Sequence, residues 1–168
     1  MIDTSRFKPG TVYVIYIVTT PEKLWAALTQ GEFTTQYFFG RRIESDWKVG
    51  SPVTYYMPDG SRALYGKVIE CDRPRRLSLT WNVEWRDEYA KIFDRPIEEL
   101  RKLPECIVSF QIDPLGDAVR LTMTEYHQGF IDEEILNKGG RSGWPVILSS
   151  LKSLLETGHS LPPFNATK

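Results

Sequence analysis

The sequence predicts an α+β fold: a seven-stranded antiparallel curved sheet wrapped around one long C-terminal helix, with two short helices after the first strand. Two observations carry most of this. Between residues 41 and 127 apolar and polar residues alternate at period two, the mark of half-buried strands, and the runs are separated by short clusters of Gly, Pro and Asp. Connections that short join antiparallel neighbours. Near the C-terminus the spacing changes to three and four. In GWPVILSSLKSLLETG (143–158), Trp144, Ile147, Leu148, Leu151, Leu154 and Leu155 share one helical face.

In chain order, TVYVIYIVTT (11–20) is rich in β-branched and aromatic residues and reads as the first strand. Thr20 is placed to cap a helix whose first turn holds Pro21 and the dipole-compatible Glu22. Leu24, Trp25 and Leu28 supply its apolar face, Gly31 is expected to end it, and a second short helix is expected over 32–38. Six strands follow, over 41–47, 51–57, 63–72, 75–85, 105–113 and 118–127. In the fourth of these, Leu77, Leu79, Trp81, Val83 and Trp85 point one way, and Ser78, Thr80, Asn82 and Glu84 the other. The matching inner sets are Cys106, Val108, Phe110 and Ile112, then Val119, Leu121 and Met123, with parity continuing to Glu125 and His127. One face of the sheet is therefore expected dry and the other wet.

The segment RDEYAKIFDRPIEELRKLP (86–104) breaks the alternation. Its Tyr89, Ile92, Phe93, Ile97, Leu100 and Leu103 fall at spacings of three and four, predicting one or two short helices split at Pro96. Gly139-Gly140-Arg141 reads as a joint before the long helix, Pro145 as its first-turn proline, and Gly158, Pro162 and Pro163 as its stop. The whole chain, 1–168, reads as one domain, with a core over about 12–160, the insertion 86–104 and a loose tail over 160–168. The helix pattern of sixteen residues spans roughly 24 Å, enough to cross the concave side of the sheet.

This element order, with the wording TPEKLWAALT (20–29), ESDWKVGSPVTYY (44–56), GKVIECDRPRRLSLTW (66–81) and GWPVILSSLKSLLETG (143–158), resembles the START-like, or SRPBCC, helix-grip superfamily. Within it the chain is similar to the bacterial branch named after the activator of the heat-shock-protein ATPase, over about residues 12 to 160. The resemblance implies a gap between helix and sheet that receives a hydrophobic small molecule, lipid-like or aromatic. Trp47, Tyr55, Trp81, Trp85, Phe110, Met123, Trp144, Ile147 and Leu151 are expected to line it. A co-chaperone role is not expected, since only ten residues precede the first strand; a protein-interaction or stress-response module is the broader alternative, with a homodimer through 86–104 as one form of it.

A second alternative is a cavity enzyme of cyclase or hydrolase type. Parity places Glu125 and His127 on the dry face near a strand end, where a carboxylate and an imidazole share a proton and their titration shifts with burial. The competing expectation is that the strand has left the core by residue 125 and both side chains are solvated. No cofactor or metal is expected, because two cysteines, Cys71 and Cys106, without a CxxC or clustered His build neither a disulfide scaffold nor a zinc site. A net charge of −1 gives no general attraction to nucleic acid. The first ten residues carry no apolar run and no segment is long and apolar enough to span a membrane, so a cytoplasmic address is expected.

Overall fold

The computed structural model describes residues 3–163; the last five residues of the expected tail, 164–168, lie outside the described residues. Seven strands form one antiparallel sheet: β1 (Phe7–Ile17), β2 (Arg42–Glu44), β3 (Pro52–Tyr56), β4 (Arg62–Asp72), β5 (Arg76–Val83), β6 (Cys106–Leu115) and β7 (Ala118–Gln128). Their spatial order is β1-β7-β6-β5-β4-β3-β2, so every consecutive pair from β2 to β7 is a neighbour and β1 closes beside β7. The helices are α1 (Pro21–Thr29), α2 (Gly31–Tyr37), α3 (Tyr89–Phe93), α4 (Ile97–Leu100), α5 (Glu133–Lys138) and α6 (Gly140–Thr157).

The core follows the predicted inner faces. Leu77, Leu79, Val108, Phe110, Ile112, Val119, Leu121 and Met123 pack in one cluster with Trp144, Ile147, Leu148, Leu151 and Leu154 of α6. Burying each such side chain stabilises the fold by about 1.5–3 kcal/mol relative to exposure. The two faces differ less cleanly than alternation implied. Ser78, Thr80 and Ser109 belong to the outer set yet are buried, with Ser78 Oγ and Ser109 Oγ hydrogen-bonded to each other at 2.8 Å and Thr80 Oγ1 accepting from Lys67 N–H at 2.9 Å. Conversely Val12, Val14 and Tyr16 are exposed along the edge strand β1, as is Val18 just beyond its end.

Local signals explain the ends of most elements. Thr20 caps α1, accepting from Lys23 N–H at 3.3 Å. Gly31 does not end that helix; Gln30 closes α1 and opens α2, and Gly31 is the first residue of α2, tight against the Arg42 side chain. β2 is shorter than predicted because Ser45 and Asp46 turn the chain with their own side chains, bonding Trp47 N–H and Lys48 N–H at 3.1 Å each, and Trp47 takes a left-handed φ of 62°.

The largest differences lie before the C-terminal helix. α6 starts at Gly140, not Gly143, so Pro145 sits inside the helix and not in its first turn. The extra turn, Gly140-Arg141-Ser142-Gly143, has poor helix formers but is held from the sheet: the Tyr13 hydroxyl donates to the Gly140 carbonyl at 3.4 Å, Arg141 Nε donates to Thr11 Oγ1 at 3.3 Å, and Gly140 abuts the Glu125 side chain. α5 is an unpredicted helix, capped by Asp132 Oδ1, which accepts from Glu134 N–H at 2.8 Å. Gly139 joins the two helices. No helix among the described residues is long and apolar enough to cross a membrane.

Candidate functional site

Where the sequence suggested a gap, the middle of the sheet–helix interface is filled by rings. Phe38, at the end of α2, stacks on Tyr55 of β3 with centroids 4.9 Å apart, and meets Trp81 of β5 and Trp144 of α6 edge-on at 6.2 and 5.7 Å. Trp144 also packs on Trp81 at 5.5 Å and on Phe110 of β6 at 6.0 Å. Such offset and edge-to-face pairs are favourable by about 0.5–1.5 kcal/mol each beyond their buried area. Phe38 was not singled out from the sequence; it is the middle ring of a Tyr-Phe-Phe run that reads equally well as helix surface.

Open space appears instead at one end of the interface. A cleft of about 590 Å³ lies beneath the insertion 86–104, between the ends of β5 and β7 and the first turn of α6. Its walls are largely oily: Trp81, Val83, Trp85, Tyr89, Phe93 and Trp144, with Ile131, Ile135 and Leu136 from the α5 region. The insertion acts as a cover through its own aromatics, since Phe93 packs edge-on against Trp85 at 5.4 Å and Tyr89 meets Trp85 at 5.6 Å. Leu100 is fully buried, which ties α4 to the body.

Of the nine expected lining residues, the cleft brings together Trp81, Trp85 and Trp144. Tyr55, Phe110, Met123, Ile147 and Leu151 are buried in the packed core, and Trp47 is packed against it. None of these six lines the cleft.

Glu125 and His127 both lie on the dry face and both line the cleft. Glu125 is 5% exposed and the His127 side chain 12%, so β7 has not left the core at residue 125. His127 Nε2 stands 3.4 Å from Glu125 Oε2, and both imidazole nitrogens are shielded without a hydrogen-bond partner. Two glycines make room for the pair. A Cβ on Gly140 would sit 2.5 Å from Glu125 Oε1, and a Cβ on Gly10, at the β1 irregularity, would collide with the His127 ring. The Glu125 carboxylate thus rests against the first residue of an eighteen-residue helix, where the dipole favours negative charge.

Neighbouring groups respond to the same burial. The Cys106 thiol is pushed up to about 12 by burial, aided by the Glu125 and Glu105 carboxylates, which disfavours its thiolate. Tyr13 is raised by burial and then by Glu125, and its hydroxyl donates to the Gly140 carbonyl at 3.4 Å. Cys71 is likewise raised by burial. Among the described residues no cluster of three or more His, Cys, Asp or Glu is arranged to hold a metal ion.

One cleft residue gave no sign in the sequence. Arg41, between α2 and β2, lines the wall opposite β7, with its guanidinium over the rings of Phe38 and Phe39 at 5.7 and 5.8 Å. Nothing in Phe-Phe-Gly-Arg-Arg distinguishes a guanidinium turned inward from one in solvent.

A curved antiparallel sheet gripping a C-terminal helix, with a cleft at the end of the grip, defines a helix-grip domain. The sequence model of the family described as "Activator of Hsp90 ATPase homolog 1-like protein" matches residues 18–156, and the chain belongs to that family. Solved structures agree on the fold. Protein MLL2253 from Mesorhizobium loti is 26% identical with a TM-score of 0.62, covering 86% of this chain and 96% of its own. CalU16 from Micromonospora echinospora is 18% identical with a TM-score of 0.62, over 88% of this chain and 76% of its own. The Aha1 dimer from Colwellia psychrerythraea is 19% identical with a TM-score of 0.62, over 88% and 96%. No curated protein sequence matches.

Proposed function

We propose that this chain is a small-molecule-binding module that holds a hydrophobic guest, lipid-like or aromatic, in the cleft at the end of the helix grip. The observation that supports it is the cleft itself, about 590 Å³ with mainly apolar and aromatic walls and a few convergent polar groups, the make-up of small-ligand sites. Gly143 lines it, and a side chain there would meet nothing within 4 Å. Gly143→Leu is therefore expected to keep or raise the melting temperature, since Leu is a better helix former than Gly by up to about 1 kcal/mol. It is also expected to abolish uptake of a neutral hydrophobic dye such as Nile red. Native mass spectrometry and solvent extraction of the purified wild type supply the direct test. An empty wild type whose dye uptake matches that of Gly143→Leu rules the reading out.

A second reading, a proton-transfer enzyme using the same cleft, is favoured by one observation: a buried acid–imidazole pair whose ring nitrogens have no partner of their own. It predicts that His127→Ala loses at least 100-fold of any ester-hydrolysing or ketone-isomerising activity of the wild type, in line with the usual contribution of general acid–base groups. Equal background rates for the two proteins refute it. The cytoplasmic address accompanies either reading. Self-association through 86–104 would rest on the exposed Ile92, as Phe93 and Leu100 are buried within the chain.

A further inference from the structure

We infer that the guest is an organic acid, a hydrophobic body bearing one carboxylate, and that Arg41 is the anchor for that carboxylate. The inference rests on the small-molecule reading of the cleft and deepens it. Arg41 lines the cleft, and its Nε is shielded from solvent with no hydrogen-bond partner. Among the described residues no carboxylate forms an ion pair with its guanidinium. The groups that face it are the rings of Phe38 and Phe39, the phenols of Tyr55 and Tyr89, and a like charge, Arg86. Burial, the largest effect, and Arg86 lower its pKa, while the Tyr89 and Tyr55 phenols act in the opposite direction.

A guanidinium held half out of water without an anion is unfavourable, and folded proteins ordinarily pair such a group. The planar fork of Arg is suited to bidentate contact with a carboxylate, and stacking on aromatic faces fixes its plane in advance. Charge decides between head groups. Arg86 does not line the cleft; its terminal nitrogen donates to Ser61 Oγ at 2.6 Å and to the Arg62 carbonyl at 3.1 Å. Arg101 is paired with Asp87 and Lys138 with Glu134. Among the described residues that line the cleft, Arg41 is the guanidinium or ammonium without a carboxylate partner, and a single negative charge matches it; a phosphate dianion would add a second negative charge to a cleft that already holds Glu125.

The strand order gives the guest a direction. Arg41 adjoins Tyr55 of β3, and Glu125 and His127 stand on β7, with β6, β5 and β4 between them. Trp81 and Trp144 lie along that path and supply the surface for the apolar body. A carboxylate at the Arg41 end is thereby kept away from the Glu125 carboxylate.

Matched probes test this: dodecanoic acid, dodecanol and dodecyl phosphate, titrated by tryptophan fluorescence and calorimetry into wild type, Arg41→Met and Arg41→Lys. Wild type is expected to bind dodecanoate at least 10-fold tighter than dodecanol, and tighter than dodecyl phosphate. Arg41→Met is expected to remove the preference for the acid while leaving dodecanol binding within about twofold, with Arg41→Lys intermediate because it keeps the charge and loses the fork. Ligand-free Arg41→Met is also expected to melt at or above the wild-type temperature, because a methionine of similar length removes a half-buried charge that has no anionic partner. A wild type that binds dodecanol but shows no preference for the acid, or an Arg41→Met protein that retains the preference, overturns the anchor and leaves the cleft reading standing. Tighter binding of dodecyl phosphate overturns the choice of carboxylate. Failure of all three probes in wild type removes the cleft reading and the anchor together.

Discussion

Phe38→Ala is expected to lower stability by about 3–5 kcal/mol, the usual cost of emptying a large aromatic site in a core. The mechanism is local and specific. Phe38 is 2% exposed and touches rings from three separate elements, Tyr55, Trp81 and Trp144, so its removal leaves a void that no single side chain can collapse into. For a domain of this size about 1 kcal/mol corresponds to roughly 2–4 °C in melting temperature, so a fall on the order of 10 °C is expected. Phe39 is the control. It is the next residue but more than half exposed, and Phe39→Ala is expected to cost less than about 1 kcal/mol. Equal, small losses for the two variants in urea or thermal unfolding would show that the interior is not closed by Phe38.

Gly66→Ala is expected to be as damaging, for a backbone reason. Gly66 lies on β4 between Tyr65, paired with Asn82 of β5, and Val68, paired with Leu79, and a Cβ there would overlap the carbonyl of Thr80. The obstacle is main chain and not the flexible end of a side chain, so the two strands must separate. Separation also breaks the bond from Lys67 N–H to Thr80 Oγ1. Overpacking of this kind costs about 3 kcal/mol or more, which threatens folding in a protein whose whole stability is on the order of 5–15 kcal/mol. Soluble yield and the urea midpoint report the effect. A midpoint unchanged from wild type would mean that the strands do not approach so closely.

Most of the fold was legible from spacing alone. Leu77, Leu79, Val108, Phe110, Val119, Leu121 and Met123 were placed on the inner face by parity and are buried there. The same parity carried Glu125 and His127 inward, and their burial follows from it. Failures cluster where local pattern is short or overruled. α5 has six residues, too few for a periodic face to stand out, although Asp132 with Glu134 is a cap that was there to be read. The first turn of α6 contains two glycines, and the first of them, Gly140, was assigned with Gly139 and Arg141 to a joint. Gly140 is glycine because the Glu125 carboxylate leaves no room for a Cβ, a fact about a residue fifteen positions away.

The site was legible only in part. Trp81, Trp85 and Trp144 do line open space, whereas Tyr55, Phe110, Met123, Ile147 and Leu151 are spent on packing against Phe38 and the helix. An inward aromatic looks the same in sequence whether it faces a ring or a void.

What the sequence by itself determined are the element types, their order and the face each turns to the core, because alternation and helical spacing are properties of neighbouring residues. Only the tertiary structure decided where the interior stays open, that Phe38 closes its middle, and that Arg41 looks into the remaining space without a partner. Filled and empty volume depend on how residues 38, 41, 55, 81, 110, 125 and 144 meet after the sheet has curved. No local rule along the chain carries that information.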